Sequence, residues 1–492
     1  MCKIYVRKQS QTHAISAKPS ETILNMLLNH DIKIQSPCAG NGTCGKCAVN
    51  TSDGVKLACQ TQAIDGMEIY MPMPEDEQML IRSTYETIRP FSHDRGNKYG
   101  LAIDIGTTTL AFELINMAIG QCVLTHSAVN SQRALGADVI TRIKQATQGA
   151  QTQLYRYIIE DIRQGIIRIL EKSGLPADAV DFVSIAGNTT MLHLLQDMPC
   201  DTLGVFPFAP VDIGMRRCAF NDVFGEGLLD AQLLILPGIS TFVGADITAG
   251  ILCCQSPGGT APNLLIDLGT NGEMALFSHD RVFVTSTAAG PAFEAANISK
   301  GTASIPGAIA KVRYLPENNV FIYETINNQP PIGICGTGVV DIAAELVQHS
   351  LADETGRLEY EQFENGAVIT EGITFTQKDM REIQLAKSAV RSGIEILLDI
   401  AGYGYNDIGK VFLAGGFGHK INMDSAVALG LIPAALVGKV ASVGNTALGG
   451  AAHVLLSLAA EADIIALAGS AQEINLSAHP RFNDLFMEYM MF

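Results

Sequence analysis

Basic residues are scarce in this chain. Its 492 residues include 33 Lys and Arg against 50 Asp and Glu, which gives a formal net charge of −17 at pH 7. No tract rich in Lys or Arg interrupts this acidic background. Nucleic acids and anionic membrane surfaces both carry negative charge, so this balance argues against either as the main partner.

Long uninterrupted apolar segments are also missing. The N-terminal MCKIYVRKQS has no apolar core of the signal-peptide kind, and the apolar stretch at 451–469 is broken by His453, Glu461 and Asp463. The eleven cysteines fit a reducing compartment better than a disulfide scaffold. These features predict a cytoplasmic protein.

Neither a Walker P-loop, nor a Rossmann fingerprint, nor the usual histidine metal motifs are indicated. The sequence has no G-x4-G-K-[ST], and its G-x-G-x-x-G, at 40–45, is part of a cysteine-rich loop that is followed by strand-like sequence and not by a helix. The ten histidines form no H-x3-H or similar set, so they predict no metal site of their own. Any nucleotide or metal site must therefore be built from other residues.

Four cysteines near the N-terminus stand in a Gly-rich setting that favours iron. Cys38, Cys44 and Cys47 lie in SPCAGNGTCGKC, and Cys59 follows after eleven intervening residues. The plant-type [2Fe–2S] spacing is C-x4-C-x2-C…C, and here only the first gap is longer, by one residue. A structural zinc site would normally show two C-x2-C pairs, and one is present. The pattern predicts a [2Fe–2S] cluster, with zinc or free thiols as the alternatives.

The segment between the last two cysteines predicts a hairpin. Residues 48–51 and 55–58 are predicted to be two strands. Ser52-Asp53-Gly54 would join them as a three-residue loop, with Gly at the position that tolerates positive φ. This register sets Cys59 directly opposite Cys47, with their Cβ atoms roughly 4.5–5.5 Å apart. The two thiolates would then be close enough to share one iron.

The N-terminal residues predict a β-grasp ferredoxin domain at 1–74. Strands are expected at 4–8, 13–17 and 67–71, and a helix at 22–30 that Ser20 caps. Beyond it, residues 75–98 are polar and rich in proline and acidic side chains, which is typical of a linker.

From residue 99 the sequence becomes α/β and repeats itself. LAIDIGTTT at 101–109 is echoed by LLIDLGTNG at 264–272, and FVSIAGN at 182–188 by VFLAGGF at 411–417, in the same order. A duplicated α/β unit with equivalent loops facing each other across a cleft is the natural interpretation. We expect its halves at 99–235 and 236–492.

The two repeated loops have the chemistry of a phosphate site. Each follows an apolar strand and precedes more β-like sequence, which predicts a strand–turn–strand hairpin. Asp104 and Asp267 would face one point from two sides and hold Mg²⁺ directly or through water. One such loop alone could be an ordinary hairpin turn, whereas two copies in register favour a site.

Small residues around these carboxylates are suited to bind a nucleotide. Gly106 and Gly269 let backbone N–H groups approach phosphate oxygens, and Thr107, Thr108 and Thr270 add hydroxyl donors. The later turn at Gly415-Gly416 leaves room for a flat group such as adenosine against the backbone. Asn188 and the two threonines after it would line the cleft opposite that turn.

Four further strings extend the pattern over nearly the whole chain: IAGNTTMLHLL at 185–195, FVGADITAG at 242–250, TAAGPAFEAANI at 287–298 and VGNTALGGA at 443–451. With the cysteine loop and the phosphate loops, they resemble the reductive activators of corrinoid-dependent methyltransferases. That family joins a [2Fe–2S] ferredoxin domain to an ATPase of the acetate kinase, sugar kinase, Hsp70 and actin superfamily. The resemblance implies an actin-like, ribonuclease H-like duplicated fold.

The resemblance also implies residue roles. Cys38 and Cys44 would hold one iron, and Cys47 and Cys59 the other. Asp104 and Asp267 would be the catalytic carboxylates. ATP and Mg²⁺ would be bound by these two and by Gly106, Thr107, Thr108, Gly269, Thr270, Gly415 and Gly416. The segment between Cys47 and Cys59 is shorter than is usual in the family.

The implied function is ATP-dependent return of an inactive Co(II) corrinoid to Co(I). A plant-type cluster works near about −400 mV, and each ~59 mV of mismatch costs tenfold in a one-electron equilibrium. ATP binding or hydrolysis would supply the free energy for this step by increasing the population of a state in which the cobalt can be reduced. The implied partners are a corrinoid protein and a low-potential electron donor, and a homodimer is left open.

Three other functions remain open from the sequence. A small-molecule kinase with a fused ferredoxin would need a carboxylate near the γ-phosphate, for which Asp246 and Glu273 are available. A dehydratase-activating ATPase would carry its cluster cysteines in the ATPase domain, unlike this chain. A non-enzymatic redox sensor would use nucleotide and cluster only to control binding to a partner.

Overall fold

The computed structural model describes residues 2–8, 11–18, 20–30, 32, 34, 47–51, 54–70, 94–95, 98–255, 261–269, 271–415 and 421–492. Four of the predicted site residues, Cys38, Cys44, Thr270 and Gly416, lie outside these ranges, as does most of the predicted linker.

The N-terminal residues form a five-stranded mixed sheet of order β2-β1-β5-β3-β4. Its strands are β1 (Cys2–Lys8), β2 (Gln11–Ala17), β3 (Ala48–Thr51), β4 (Gly54–Leu57) and β5 (Glu68–Tyr70). Strand β1 pairs antiparallel with β2 and parallel with β5, so the sheet is the mixed one that a β-grasp domain requires.

Among the described N-terminal residues, one helix, α1 (Ile23–Asn29), packs on this sheet. Its buried face includes Leu24 and Leu27 in one core with Ile4 of β1. The helix is capped by Thr22, whose hydroxyl accepts from the N–H of Asn25 at 3.2 Å, and not by Ser20 as predicted. A capping side chain must reach the second or third N–H of the helix, and only Thr22 stands at that spacing from the observed start.

The β3–β4 hairpin is one residue tighter than predicted. Thr51 pairs with Gly54 and Ala48 with Leu57, which leaves two residues between the paired positions. Consequently Ala58 donates its N–H to the carbonyl of Cys47 at 2.9 Å, and the residue opposite Cys47 is Ala58 rather than Cys59. Gly54 has φ +99° and is already part of the ladder, so it does not belong to the loop.

The second sheet has six strands in the order β10-β11-β9-β6-β7-β8. They are β6 (Tyr99–Ile105), β7 (Thr109–Asn116), β8 (Gln121–Val129), β9 (Val180–Gly187), β10 (Arg216–Ala219) and β11 (Gln232–Ile235). Strands β6, β7 and β8 form an antiparallel meander, and β9 and β11 continue the sheet in parallel from β6.

The third sheet repeats this arrangement, with order β21-β20-β12-β13-β14-β22. Its strands are β12 (Asn263–Leu268), β13 (Gly272–Phe277), β14 (Val282–Thr287), β20 (Val411–Ala414), β21 (Val440–Gly444) and β22 (Gln472–Glu473). A meander again leads to two parallel strands. The duplication predicted from the sequence is therefore a duplication of topology.

Helices and two small sheets complete the described fold. The remaining strands are β15 (Ala308–Leu315), β16 (Val320–Thr325), β17 (Gly333–Ile334), β18 (Ala367–Thr370) and β19 (Ile373–Phe375). The helices are α2 (Val139–Gln145), α3 (Gln151–Ser173), α4 (Thr189–Leu195), α5 (Asn221–Phe224), α6 (Ala245–Cys254), α7 (Gly336–Gln348), α8 (Tyr360–Asn365), α9 (Gln377–Ala401), α10 (Met423–Ala428), α11 (Thr446–Leu456), α12 (Leu458–Ser470) and α13 (Phe482–Glu488). Within the described ranges, no helix has both the length and the apolarity needed to cross a membrane.

Helices α6 and α11 pack closely against each other. A Cβ built on Gly450 of α11 would lie 2.1 Å from the carbonyl oxygen of Ala249 in α6, so only glycine fits there. Helix α11 follows a strand of the third sheet and packs on β6 and β9 of the second. The helix pair thus joins the two halves of the duplicated unit.

Candidate functional sites

The two repeated loops, which follow Asp104 and Asp267, are tight hairpins. In the first, Ile105 pairs with Leu110 and the N–H of Gly106 donates to the carbonyl of Thr109 at 3.0 Å. In the second, the N–H of Gly269 donates to the carbonyl of Asn271 at 3.2 Å. A Cβ on Gly106 would lie 2.6 Å from the Thr109 oxygen, so the turn needs glycine. The predicted strand–turn–strand context is present at both positions.

The two aspartates before these turns are electrostatic neighbours. Burial raises the pKa of Asp267 to about 8, and the negative charges of Asp246, Asp104 and Glu294 add to the shift. Burial also raises the pKa of Asp104 to about 7, although the hydrogen bond from Asn445 acts in the opposite direction. The duplicated topology therefore brings both carboxylates into one desolvated, acidic cluster, at the place where the sequence predicts the cleft, and their role in binding a nucleotide stays a prediction.

Two more carboxylates belong to this cleft. Burial raises the pKa of Asp246, at the start of α6, to about 6. Burial, together with the charges of Asp246 and Asp267, raises the pKa of Glu273 on β13 well above its usual range. The sequence suggested these two residues only as options for a kinase. Asp246 follows VGA and Glu273 follows GTNG in the sequence, and neither string has a fixed spacing that would link it to Asp104.

This carboxylate set fits a magnesium ion that arrives with a nucleotide. Among the described residues, no group of three or more His, Cys, Asp or Glu side chains is arranged to hold a metal ion by itself. Mg²⁺ usually keeps several waters and is bound by one or two carboxylates together with substrate phosphates. A divalent cation would also compensate the burial of these carboxyls, which is the main cause of their raised pKa values, and the repulsion that adds to it at Asp104, Asp267 and Glu273.

Two asparagines connect helix starts to the first hairpin. Asn445 caps α11 by accepting from the N–H of Leu448 at 2.8 Å, and its amide donates to Asp104 Oδ2 at 2.7 Å. Asn188 caps α4 in the same way, and its amide donates to Thr107 Oγ1 at 3.1 Å. Asn188 was expected to line the cleft, whereas the role of Asn445 was missed. The Gly-Asn-Thr string shared by 187–189 and 444–446 was a signal that could have found it.

The predicted adenosine turn lies against the second hairpin. Gly415 has φ +89°, and a Cβ on it would lie 2.7 Å from the Leu268 carbonyl oxygen and 2.9 Å from Asp267 Oδ1. The position therefore requires glycine for both its backbone conformation and its packing. Contact between this turn and a nucleotide base stays a prediction.

In the N-terminal sheet, Cys47 and Cys59 bring their sulfur atoms together. The two Sγ atoms lie 3.3 Å apart, and both side chains are buried. Thiolates that share a tetrahedral metal with bonds of about 2.3 Å lie about 3.7 Å apart, so this pair fits two ligands of one iron. The pairing predicted for these cysteines is present, although the register that was expected to produce it is shifted by one residue.

Family comparisons cover most of the chain. Residues 6–64 match the 2Fe-2S iron–sulfur cluster binding domain, residues 99–256 match the RACo middle region, and residues 261–492 match the C-terminal domain of RACo, the ASKHA domain. These matches support a [2Fe–2S] cluster and ATP binding. The domain limits predicted at residues 74, 98 and 235 stay predictions.

Individual relatives point the same way. The chain is 29% identical to the "Corrinoid activation enzyme RamQ" of Eubacterium limosum over 92% of this chain and 93% of the relative. It is 26% identical to the "[Co(II) methylated amine-specific corrinoid protein] reductase" of Methanosarcina barkeri, over 79% and 76% of the two chains. Among solved structures, the "Reductive activator for corrinoid,iron-sulfur protein" superposes with a TM-score of 0.73 at 24% identity, over 100% of this chain and 98% of the other.

Proposed function

Because the chain belongs to the RACo family of reductive activators, we propose that it restores corrinoid proteins of a methyltransferase system by ATP-dependent reduction of Co(II) to Co(I). The observation that carries the proposal is the presence, in one chain, of a buried cysteine pair and a cluster of buried carboxyls between two duplicated hairpins. The first suits electron transfer and the second suits ATP.

The N-terminal sheet has the role of an electron carrier. Cys47 and Cys59 would hold one iron of a [2Fe–2S] cluster, and Cys38 and Cys44 the other. When bound, the cluster supplies a one-electron carrier near about −400 mV. The side-chain amide of Gln60 donates to Cys59 Sγ at 3.7 Å, so it would lie beside the cluster.

The cleft has the role of the energy input. The first and second hairpins offer N–H and hydroxyl donors to the phosphates, from Gly106, Thr107, Thr108, Gly269 and Thr270. Asp104 and Asp267 would hold Mg²⁺, which would supply positive charge to the phosphates, and the turn at Gly415 and Gly416 would receive the adenosine. Closure of the two halves around ATP would favour the state in which cobalt accepts the electron.

The expected partners follow from this chemistry. They are a corrinoid protein and a low-potential electron donor, in the cytoplasm, with a homodimer as a further assembly state. The net charge of −17 supports protein partners over nucleic acid or an anionic membrane.

The experiment that tests the function follows Co(I) formation by its absorbance, with a Co(II) corrinoid protein and a low-potential donor. We expect reduction with ATP and little without it. A chain lacking residues 1–74 should keep Mg·ATP binding but lose cobalt reduction by that donor, because the cysteine-bearing domain is absent.

Two results would contradict the proposal. Equal reduction rates with and without ATP, at matched donor potential, would indicate a simple electron carrier. Transfer of the γ-phosphate to a small molecule, rather than release as inorganic phosphate, would favour the kinase alternative, for which Asp246 and Glu273 stand in the cleft.

A further inference from the structure

Three successive carbonyl groups of the first hairpin are held from one side. The side-chain amide of Asn130 donates to the Gly106 oxygen at 2.9 Å, and the backbone N–H of Asn130 donates to the Thr108 oxygen at 3.0 Å. Between them, the guanidinium of Arg142 donates to the Thr107 oxygen. The tip of the hairpin is therefore fixed by two residues from a different part of the chain.

Arg142 is fully buried, and the groups that its guanidinium contacts directly are uncharged. Besides Thr107, it donates to the carbonyl of Gly136 at 2.9 Å and to the side-chain oxygen of Gln132 at 3.2 Å, and it contacts Met191 Sδ at 3.0 Å. Burying a cation against neutral acceptors is costly unless the geometry satisfies its donors. Here the planar fork reaches several acceptors at once, which a lysine ammonium could not reproduce.

The charge of Arg142 persists at neutral pH. Burial lowers its pKa to about 9, the nearby Asp138 and Asp161 carboxylates oppose that shift, and Arg133 adds to it. A positive charge thus lies directly behind the hairpin tip, where it favours anions on the other face of the loop.

The direction of the carbonyls determines the direction of the amides. In a trans peptide the C=O and the following N–H point to opposite sides. Since the Gly106 and Thr107 oxygens are directed toward Asn130 and Arg142, the N–H groups of Thr107 and Thr108 are directed away from them. Consecutive N–H groups on one side of a turn form an anion-binding concavity.

We propose that Arg142 and Asn130 are positioning residues that hold the first hairpin with the N–H groups of Thr107 and Thr108 turned toward the nucleotide phosphates. The inference rests on the proposed ATP site. It adds two residues that make no contact with the nucleotide and act through the backbone of the loop.

The test compares Arg142→Lys with the full-length protein, and Arg168→Lys on the exposed face of α3 serves as the matched control. Two probes are titrated: Mg·ATP, and adenosine as a competitor that lacks phosphates. Loss of aligned hydrogen bonds to a charged ligand should weaken Mg·ATP binding by about 10- to 100-fold. Adenosine affinity should remain within about threefold, because the adenosine turn is built from other residues. Arg168→Lys should match the wild type with both probes.

A second variant covers the case in which Arg142→Lys does not fold, as judged by thermal unfolding. Asn130→Ser keeps a side-chain oxygen that can cap the following turn and removes the amide donor to Gly106. It should weaken Mg·ATP binding by about 2- to 10-fold, with adenosine unaffected.

The results separate the two levels of the proposal. Wild-type protein that does not bind Mg·ATP would overturn the proposed function. If the wild type binds but the folded variants retain its Mg·ATP affinity, or lose ATP and adenosine affinity equally, the positioning role is wrong.

Discussion

At the scale of single residues, the cleft places four carboxyl groups in a buried environment that disfavours their ionised forms. Asp104, Asp246, Asp267 and Glu273 are desolvated together, and each has a pKa above its ordinary value mainly because of burial. Such a cluster is unfavourable in the empty protein when its members ionise, and it becomes favourable when a divalent cation neutralises them. The same residues therefore link pH, magnesium and stability.

Asp267→Asn should change how stability depends on pH. A carboxyl whose folded-state pKa of about 8 exceeds its unfolded value of about 3.9 stabilises the folded protein at low pH. This contribution is lost as the pH rises between these two values. Without nucleotide and with EDTA present, the wild-type Tm should fall as the pH rises from 5 to 9, and the variant should lose less.

The measurement is thermal unfolding, followed on the transition that Mg·ATP shifts in the wild type. Asp280→Asn, at a side chain that is 86% exposed, is the matched control and should follow the wild-type curve. Parallel pH curves for Asp267→Asn and wild type would mean that this carboxyl is not desolvated in the folded protein.

Cys59→Ser should abolish the [2Fe–2S] cluster. A serine oxygen is a harder ligand than the thiolate that the cluster requires. The Cys47 sulfur would also lose the partner sulfur that lies 3.3 Å away. Visible absorption, the EPR signal of the reduced protein and iron content all report the loss. Cys122→Ser, at an exposed cysteine of β8, should keep all three. Four irons per chain in the wild type, or zinc, would contradict the assignment.

At the scale of secondary-structure elements, the close approach of α6 and α11 supports the cleft. Helix α6 carries Asp246 near its start, and the residue that caps α11 is Asn445, which holds Asp104. Both helices therefore begin at the carboxylates. A change in their separation would move these side chains relative to the hairpins.

Gly450→Ala should destabilise this helix pair. The added methyl group would meet the backbone of Ala249 at 2.1 Å, and backbone atoms cannot move aside without separating the helices. Overpacking of this kind costs about 1–3 kcal/mol. Gly469→Ala in α12 is the matched control, since a Cβ there meets no atom within 4 Å. The control should be neutral or stabilising by up to about 1 kcal/mol, and both values come from denaturant unfolding.

At the scale of the whole molecule, α11 connects the cleft to the end of the linker. Its first turn is capped by Asn445, and its last residue, Leu456, accepts from the N–H of Asp94 at 3.2 Å. Next to it, Arg95 is buried, forms an ion pair with Glu461 of α12 and lies over the Phe182 ring. Glu461 also pairs with Arg217 of β10. Movement of α11 would therefore displace Asp94 and Arg95, which lie at the end of the predicted linker.

Glu461→Gln should weaken the ATP dependence of cobalt reduction more than ATP hydrolysis. The substitution removes the charge that Arg95 and Arg217 share, and breaking a largely buried pair costs about 3 kcal/mol or more. The tether would loosen while the cleft carboxylates remain. Co(I) formation and phosphate release, measured on the same samples, give the ratio. Glu324→Gln, at an exposed pair with Lys311, is the control. Equal losses in both assays would show that this anchor is not part of the coupling.

The sequence alone determined the features that depend on local chemistry. Glycines at 106, 269 and 415 indicated the turns. Position 106 excludes a Cβ and position 415 also has positive φ, whereas a Cβ at 269 would make only an ordinary contact. The repeated strings predicted a duplicated unit, since similar segments build similar strands and hairpins. The cysteine spacing predicted a thiolate pair, because Cys47 and Cys59 flank a single short hairpin.

Tertiary structure decided what local patterns could not specify. The hairpin register moved by one residue because Gly54 joined the ladder, and the helix cap moved from Ser20 to Thr22 because of where the helix begins. Asn445 reaches Asp104 across 341 residues of sequence, and the buried side chain of Arg142 reaches Thr107 from α2. Such partners are chosen by the packing of sheets and helices, which brings distant residues together without any fixed spacing. The sequence therefore predicted the hairpins and turns of the cleft, and the fold supplied the residues that hold them in place.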